Sequence, residues 1–230
     1  MATLFDSYRS SYDNVVEDSV SFSGLKHDFF LEAKADLLAR LIVERRLVGH
    51  PDGPRTLDVG CGIGALHPYL SKILPRLEGC DISSESIERA RMDNPDVAYQ
   101  SYIAPSLPYS DNTFDLAFAV CVMHHVIPQD WCGFIREMKR IVRPGGCVTI
   151  IEHNPLNPLT RLAVLRCPFD EDAVLLSHRK TARLLQDSGL RNVRSEYFLL
   201  LPTKARPARS VERALSRLPF GAQYATSAIV

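Results

Sequence analysis

Between Arg55 and Glu152 short apolar runs alternate with amphipathic stretches, and this alternation constrains the fold more than any other feature of the chain. Arg55–Val59 reads as a buried strand ending at Gly60, and Gly64–Leu74 as a helix ended by Pro75. Leu77–Asp81 is a second strand; Ser83–Asp93 is a helix with Ser83 at its N-cap and Pro95 beyond its end. Val97–Ser101 and the strongly apolar Phe114–Val122 are the third and fourth strands. Asp130–Val142 is an amphipathic helix stopped by Arg143-Pro144-Gly145-Gly146, and Cys147–Glu152 is the fifth strand. Strands that alternate with helices in this way build βαβ units, so the expectation is an α/β, doubly wound, mostly parallel sheet covered on both faces.

The flanks are less regular. In His27–Val48 apolar residues recur at three or four positions, with Glu32, Lys34, Asp36, Arg40 and Glu44 between them, which predicts a helix stopped by Pro51-Asp52-Gly53-Pro54. Asn154–Asp172 reads as a Pro-rich loop, Ser177–Ser188 as a helix closed by Gly189, and Val193–Leu200 and Phe220–Val230 as strands. A single domain over 1–230 is expected, with an N-terminal helical lid over 1–50, a core over 55–152, and substrate loops and C-terminal strands over 153–230.

Composition removes several classes. Of 230 residues 46% are hydrophobic, ample for a core, and 27 basic side chains balance 27 acidic ones. A protein whose main task is gripping nucleic acid shows a basic surplus, so a nucleic-acid partner is not expected. The longest apolar runs, such as Leu116–Val122, fall far short of the ~20 residues that span a bilayer. With no secretory signal visible at the N-terminus, a soluble, cytoplasmic protein is expected. None of the six cysteines pairs as C-x-x-C and no His-x-His or His-x-x-x-His accompanies them, which predicts buried, reduced thiols and no metal.

The chemistry concentrates in Leu57-Asp58-Val59-Gly60-Cys61-Gly62-Ile63-Gly64, at the junction of the first strand and first helix. Glycines there let the backbone turn sharply and let a ligand approach it closely. Gly60, Gly62 and Ala65 also satisfy a loose dinucleotide fingerprint, with Asp81 following Gly60 by 21 residues. Two details point away from a diphosphate. Asp58 at the strand end repels a pyrophosphate but accepts hydrogen bonds from a cationic amino group. Gly64 adds a third glycine at alternate spacing, a loop suited to a bulky uncharged or cationic moiety.

The chain resembles the class I S-adenosylmethionine-dependent methyltransferases. The resemblance rests on Leu57–Gly64, on Gly79-Cys80-Asp81-Ile82-Ser83, on Leu107-Pro108-Tyr109-Ser110-Asp111-Asn112-Thr113-Phe114-Asp115 and on Arg143-Pro144-Gly145-Gly146, in that order over about residues 55–152. It implies a Rossmann-like seven-stranded sheet whose last strand is reversed, which fits Phe220–Val230. It also implies S-adenosylmethionine across the C-terminal ends of the strands. On this resemblance Gly60, Cys61, Gly62 and Gly64 cradle the methionine part, Asp58 anchors its amino group and Asp81 holds the ribose. Ile82 packs on the adenine, and Val120 and Cys121 line the cofactor. One departure is visible: where relatives often carry an acidic residue for the adenine, this chain reads Ser101-Tyr102-Ile103-Ala104.

The acceptor is less legible. His125 follows the fourth strand and is either a catalytic group or a shaper of the pocket. Glu152-His153-Asn154-Pro155 places an imidazole and an amide at the exit of the fifth strand, so His153 is a catalytic candidate and Asn154 a substrate-facing one; the alternative is that both only fix the following loop. The Glu-His-Asn-Pro-x-Asn-Pro-x-Thr run resembles members in glycan and secondary-metabolite pathways, which implies a hydroxyl or amine of a small molecule or glycan intermediate. Tyr8 and Tyr12 are lid candidates. Lys204, Arg206, Arg209, Arg213 and Arg217 form a basic cluster, either a solvated face or a site for an anionic partner. A nicotinamide-dependent oxidoreductase and a non-catalytic partner-binding protein on the same fold are the alternatives, and monomer or homodimer stays open.

Overall fold

The computed structural model describes residues 17–47, 51–203 and 206–230. Helix α1 (His27–Glu44) precedes a single sheet of β1 (Arg55–Val59), β2 (Arg76–Asp81), β3 (Ala98–Ser101), β4 (Phe114–Val120), β5 (Val142–His153), β6 (Arg191–Phe198) and β7 (Gln223–Ile229). Between them lie α2 (His67–Leu70), α3 (Ser84–Asp93), α4 (Trp131–Ile141), α5 (Pro158–Arg166), α6 (His178–Asp187) and α7 (Arg206–Leu215). The seven strands run in the order β3-β2-β1-β4-β5-β7-β6. β1 pairs in parallel with β2 and β4, whereas β7 lies antiparallel between β5 and β6. The expected doubly wound sheet with a reversed last strand is present.

Alternating side chains of the central strands feed two cores. Leu116 and Phe118 of β4 pack on one face with Leu38 of α1, Leu70 of α2 and Ile87 of α3. Ala117 and Ala119 of the same strand face Ile135 and Met138 of α4 and Leu184 of α6 on the other. Because both faces are covered, the strand sequences read as nearly continuous apolar runs. The chain order reverses between β1 and β4, and open α/β sheets bind ligands in the crevice beyond the strand ends at such a switch point. Arg40 joins α1 to β6 through Glu196 at 2.6 Å, and Arg45 reaches Ser227 of β7.

Four local expectations are corrected. The helix expected over Gly64–Leu74 is a single turn, His67–Leu70, because Gly64 sits at φ +71° and the flanking residues close i→i+3 turns instead. β5 begins at Val142, five residues early: Phe114 pairs with Val142 and Leu116 with Cys147, so Arg143–Gly146 bulges out of the strand. The Pro-rich segment after β5 contains α5, whose start is encoded by Asn157-Pro158: the Asn157 side chain caps Leu159 and Thr160 amides and Pro158 takes the first turn. The helix α7 falls within the span expected to hold substrate loops and C-terminal strands. Ser83 does cap α3, accepting from the Ser86 amide at 3.0 Å.

Candidate functional site

The turn after β1 is built around the end of β2. The amides of Gly60 and Cys61 both donate to the Cys80 carbonyl, at 2.7 and 3.1 Å. The Asp81 carboxylate completes the brace, accepting from the Gly62 amide at 2.8 Å and the Ser83 amide at 2.9 Å. Burial raises the Asp81 pKa against these hydrogen bonds. The three glycines serve two purposes here. A Cβ on Gly60 would lie 2.6 Å from Val122, and one on Gly64 would meet the Tyr99 hydroxyl at 2.6 Å, so both are demanded by packing. A Cβ on Gly62 would meet nothing within 4 Å, so this glycine faces open space.

That space is a cavity of about 920 Å³. Asp58, Gly60, Cys61, Gly62, Asp81, Ile82, Val120 and Cys121 all line it, whereas Gly64 is not among its lining residues. Gly64 packs against Tyr99 and Asn94 behind the turn. Asp58 is 3% exposed; its Oδ2 lies 3.1 Å from His67 Nε2, and its Oδ1 has no hydrogen-bond partner among the described residues. A buried carboxylate oxygen without a donor is costly unless a ligand supplies one. An ammonium group satisfies it and a pyrophosphate cannot. The residues present therefore fit the amino-acid end of S-adenosylmethionine.

The far wall is apolar above and ionic at its centre. Phe22, Phe29, Phe30, Phe134, Phe169 and Leu201 contribute the apolar part. At the centre His124, 1% exposed, places Nδ1 at 2.6 Å from Glu152 and Nε2 at 3.2 Å from Asp170, and His125 Nε2 lies 3.4 Å from the same Asp170 oxygen. Burial works against a charge on His124, but the two carboxylates overcome it and raise its pKa well above the usual imidazole range. Burial and the neighbouring His124 charge lower His125 and His153, each to about 4. Burial likewise raises the Glu152 and Asp170 carboxyls, and the histidines more than reverse this. The His153 and His124 ring centres are 5.2 Å apart.

A protein-family model described as "Methyltransferase domain" matches residues 57–150. Residues 57–150 carry a methyltransferase domain. An uncharacterised methyltransferase of Synechocystis is 29% identical over 150 residues, covering 64% of this chain and 71% of that one. A demethylmenaquinone methyltransferase of Chlorobaculum parvum is 28% identical over 159 residues, covering 66% of this chain and 64% of that one. Among solved structures, an S-adenosylmethionine-dependent methyltransferase from Mesorhizobium loti superposes with a TM-score of 0.59 at 22% identity, covering 85% of this chain and all of that one, a likeness that shows the shared fold.

Around this domain the remaining expected site residues divide. His125 and His153 line the cavity. Asn154 does not: it is 1% exposed, its Nδ2 donates to the carbonyls of Pro219 and Gly221, and its Oδ1 accepts from Leu156. It clasps the α5 entry to the loop before β7, the second of the two readings open to it. Tyr8 and Tyr12 lie outside the described residues. Arg213 and Arg217 of the basic cluster are exposed, and Lys204 lies outside the described residues. Of the cysteines only Cys80 and Cys147 are buried, and the other four are half-buried. No helix among the described residues is long and apolar enough to cross a membrane.

Sequence reading missed Lys34 and Asp170. Lys34 is 7% exposed and lines the cavity, and no hydrogen bond or ion pair joins it to another described residue. The signal was present: Lys34 stands in the same stripe of α1 as the buried Leu31, Ala35 and Leu38. Asp170 gave no signal, because its partner His124 is 46 residues away. Cys121 adopts φ +57° where β4 ends, held by its amide on the Ile151 carbonyl. A left-handed non-glycine residue costs about 1–3 kcal/mol, and such positions concentrate where a chain shapes a ligand wall.

Proposed function

We propose that this methyltransferase moves the methyl group of S-adenosylmethionine to a hydroxyl or amine of a small molecule with a substantial apolar part. The observation that carries the reading is the orphaned Asp58 Oδ1 in a cavity whose upper wall is apolar. The bound cofactor supplies a methyl already activated by its sulfonium. What remains for the protein is alignment, exclusion of water and disposal of a proton.

Asp58 takes the methionine amino group, and Lys34, on the same cavity, takes the carboxylate. The pair reads a zwitterion, which no dinucleotide presents at that place, and this weighs against the oxidoreductase alternative. Asp81 keeps its loop-bracing hydrogen bonds and offers its remaining lone pairs to the ribose, with Ile82 beside the adenine. Cys121 and Val120 form the floor beneath the sulfur. His125 and His153 stand on the wall where an acceptor enters, and His153 receives its proton. The phenylalanines of α1 and α4 favour an apolar acceptor over an unadorned sugar, so a glycan intermediate would need a lipophilic portion.

Calorimetry with S-adenosylhomocysteine, and with NAD+ for comparison, tests the cofactor half. Binding of the first that Asp81→Ala abolishes supports the assignment, and binding of NAD+ alone overturns it. Radiolabelled methyl transfer across a panel of phenols, aliphatic alcohols and amines of graded lipophilicity tests the acceptor half.

A further inference from the structure

The turn Met123–His125 and the turn Pro168–Asp170 bring three donor atoms together on the cavity wall. We propose that His124, His125 and Asp170 bind one divalent transition-metal ion of the borderline class that accepts imidazole and carboxylate together, such as zinc or ferrous iron. The role suggested below for the acceptor oxygen rests on the methyl-transfer reading; the ion site does not.

The distances come first. Two ligands held at ~2.0–2.1 Å on a tetrahedral ion stand about 3.3 Å from each other. Asp170 Oδ1 is 3.2 Å from His124 Nε2 and 3.4 Å from His125 Nε2. All three donor atoms lie within 4.8 Å of one another. One carboxylate oxygen thus serves as the corner at which two imidazoles converge.

Support behind the cluster comes second. Glu152, 1% exposed, takes the other nitrogen of His124 at 2.6 Å and is itself fixed by the Met123 amide at 2.7 Å. Metal-bound histidines are oriented in this way, with a carboxylate on the distal nitrogen fixing the tautomer and the ring plane. Charge comes third. Glu152 and Asp170 enclose two negative charges at side-chain exposures of 1% and 9%, and a dication balances both where a single proton balances one. Finally, three protein ligands leave coordination positions open, as in catalytic rather than structural sites. His124, His125, Asp170 and His153 all line the cavity, so those positions face the space where an acceptor hydroxyl would bind as an oxygen ligand.

The test uses the full chain, stripped with a chelator, in three titrations at pH 7.5: Co2+ by visible absorption, Zn2+ by calorimetry and S-adenosylhomocysteine on the same preparation. The expected result is one equivalent of metal, with d–d bands for Co2+. Asp170→Asn and His125→Gln each weaken metal binding by at least ~100-fold with homocysteine-adduct binding retained, and Glu152→Gln weakens it by ~10–100-fold as a positioning residue. Retained adduct binding shows that each variant is folded, and either of the first two suffices. No metal uptake at millimolar concentration by protein that still binds the adduct overturns the proposal, as does uptake that neither variant weakens. In either event a proton on His124 completes the cluster as a buried ion-pair network. Failure of the adduct to bind the unaltered protein strikes the methyl-transfer reading instead and leaves the metal titration to be read by itself.

Discussion

Asp58 and His67 are joined at 3.1 Å through Oδ2 and Nε2, and His67 Nδ1 meets the Tyr99 hydroxyl at 2.5 Å. The carboxylate only accepts, so Nε2 carries the proton and Nδ1 accepts from Tyr99. His67 is fully buried and stacked on the Tyr99 ring, 5.2 Å between centres. The chain of three holds one carboxylate oxygen and leaves the other for a ligand. Replacing Asp58 by Asn preserves the shape and removes the charge. Hydrogen bonds to charged groups contribute about 1.5–3 kcal/mol, so S-adenosylhomocysteine should bind ~10–100-fold more weakly to Asp58→Asn by calorimetry. The melting temperature should stay within a few degrees, and an unchanged affinity would remove Asp58 from the cofactor site.

The glycines separate packing from binding. Gly60→Ala puts a methyl 2.6 Å from Val122 at φ +78°; left-handed strain and overpacking together cost about 2–4 kcal/mol. Gly62→Ala meets no atom within 4 Å and costs about 1–2 kcal/mol from its left-handed backbone alone. Thermal melts should therefore rank Gly60→Ala well below Gly62→Ala. Affinity for the homocysteine adduct should fall for Gly62→Ala even though its melting temperature falls less, because the added methyl occupies the ligand's side of the loop.

The legible part of this molecule is the part in which one side chain meets its near neighbours. Asp58, the glycine turn and Asp81 lie at strand ends that the apolar runs locate, so their convergence follows from the βαβ order alone. The helix α5 was also encoded, by Asn157 and Pro158, but two Asn-Pro pairs in one stretch read equally as a loop. Lys34 stood in an apolar stripe and was counted with the polar face. The His124–Asp170 contact was out of reach, because it depends on how the segment after α5 folds back over β4, and no local pattern encodes that return. Asn154 stayed between two roles, since a side chain that caps backbone and one that touches substrate look alike in sequence.

Asn154 makes three hydrogen bonds at 3.0, 2.8 and 3.1 Å while 1% exposed. Asn154→Ala strands two backbone carbonyls and an amide, a loss of about 2–3 kcal/mol. Denaturant unfolding should show that loss with adduct affinity retained. A fully stable Asn154→Ala with impaired turnover would return the residue to the acceptor site.

Glu137 and Arg140 fasten the segment before β4 to α4. Glu137 accepts from the Leu107 amide at 3.0 Å, and Arg140 reaches the Leu107 and Tyr109 carbonyls and Asp111. The hydrogen bond from Arg140 holds the Glu137 carboxyl below its usual 4.5. A carboxyl lowered in the folded state binds fewer protons there than in the unfolded chain, so its contribution is complete above 4.5 and fades as pH drops through the folded value. The stability gap between the native chain and Glu137→Gln should be level from pH 7 to 5 and shrink below 4.5. Solvent screening limits it to about 1 kcal/mol or less. A gap that widens on acidification contradicts the assignment.

Lys34 is the sharpest test of whether the cavity is built for a zwitterion. A buried ammonium with no partner among the described residues opposes folding, and a methionine of similar length on the same stripe of α1 buries cleanly beside Leu31 and Leu38. Lys34→Met should therefore leave the melting temperature unchanged or raise it. If the ammonium receives the cofactor's carboxylate, the same substitution should weaken S-adenosylhomocysteine by ~10-fold or more, since a charge-assisted hydrogen bond is lost. It should leave the affinity for decarboxylated S-adenosylhomocysteine nearly untouched. Stability and affinity then move in opposite directions, the signature of a residue kept for its ligand at a cost to the fold. Equal weakening of both ligands would place Lys34 away from the carboxylate, as a general support of the cavity wall.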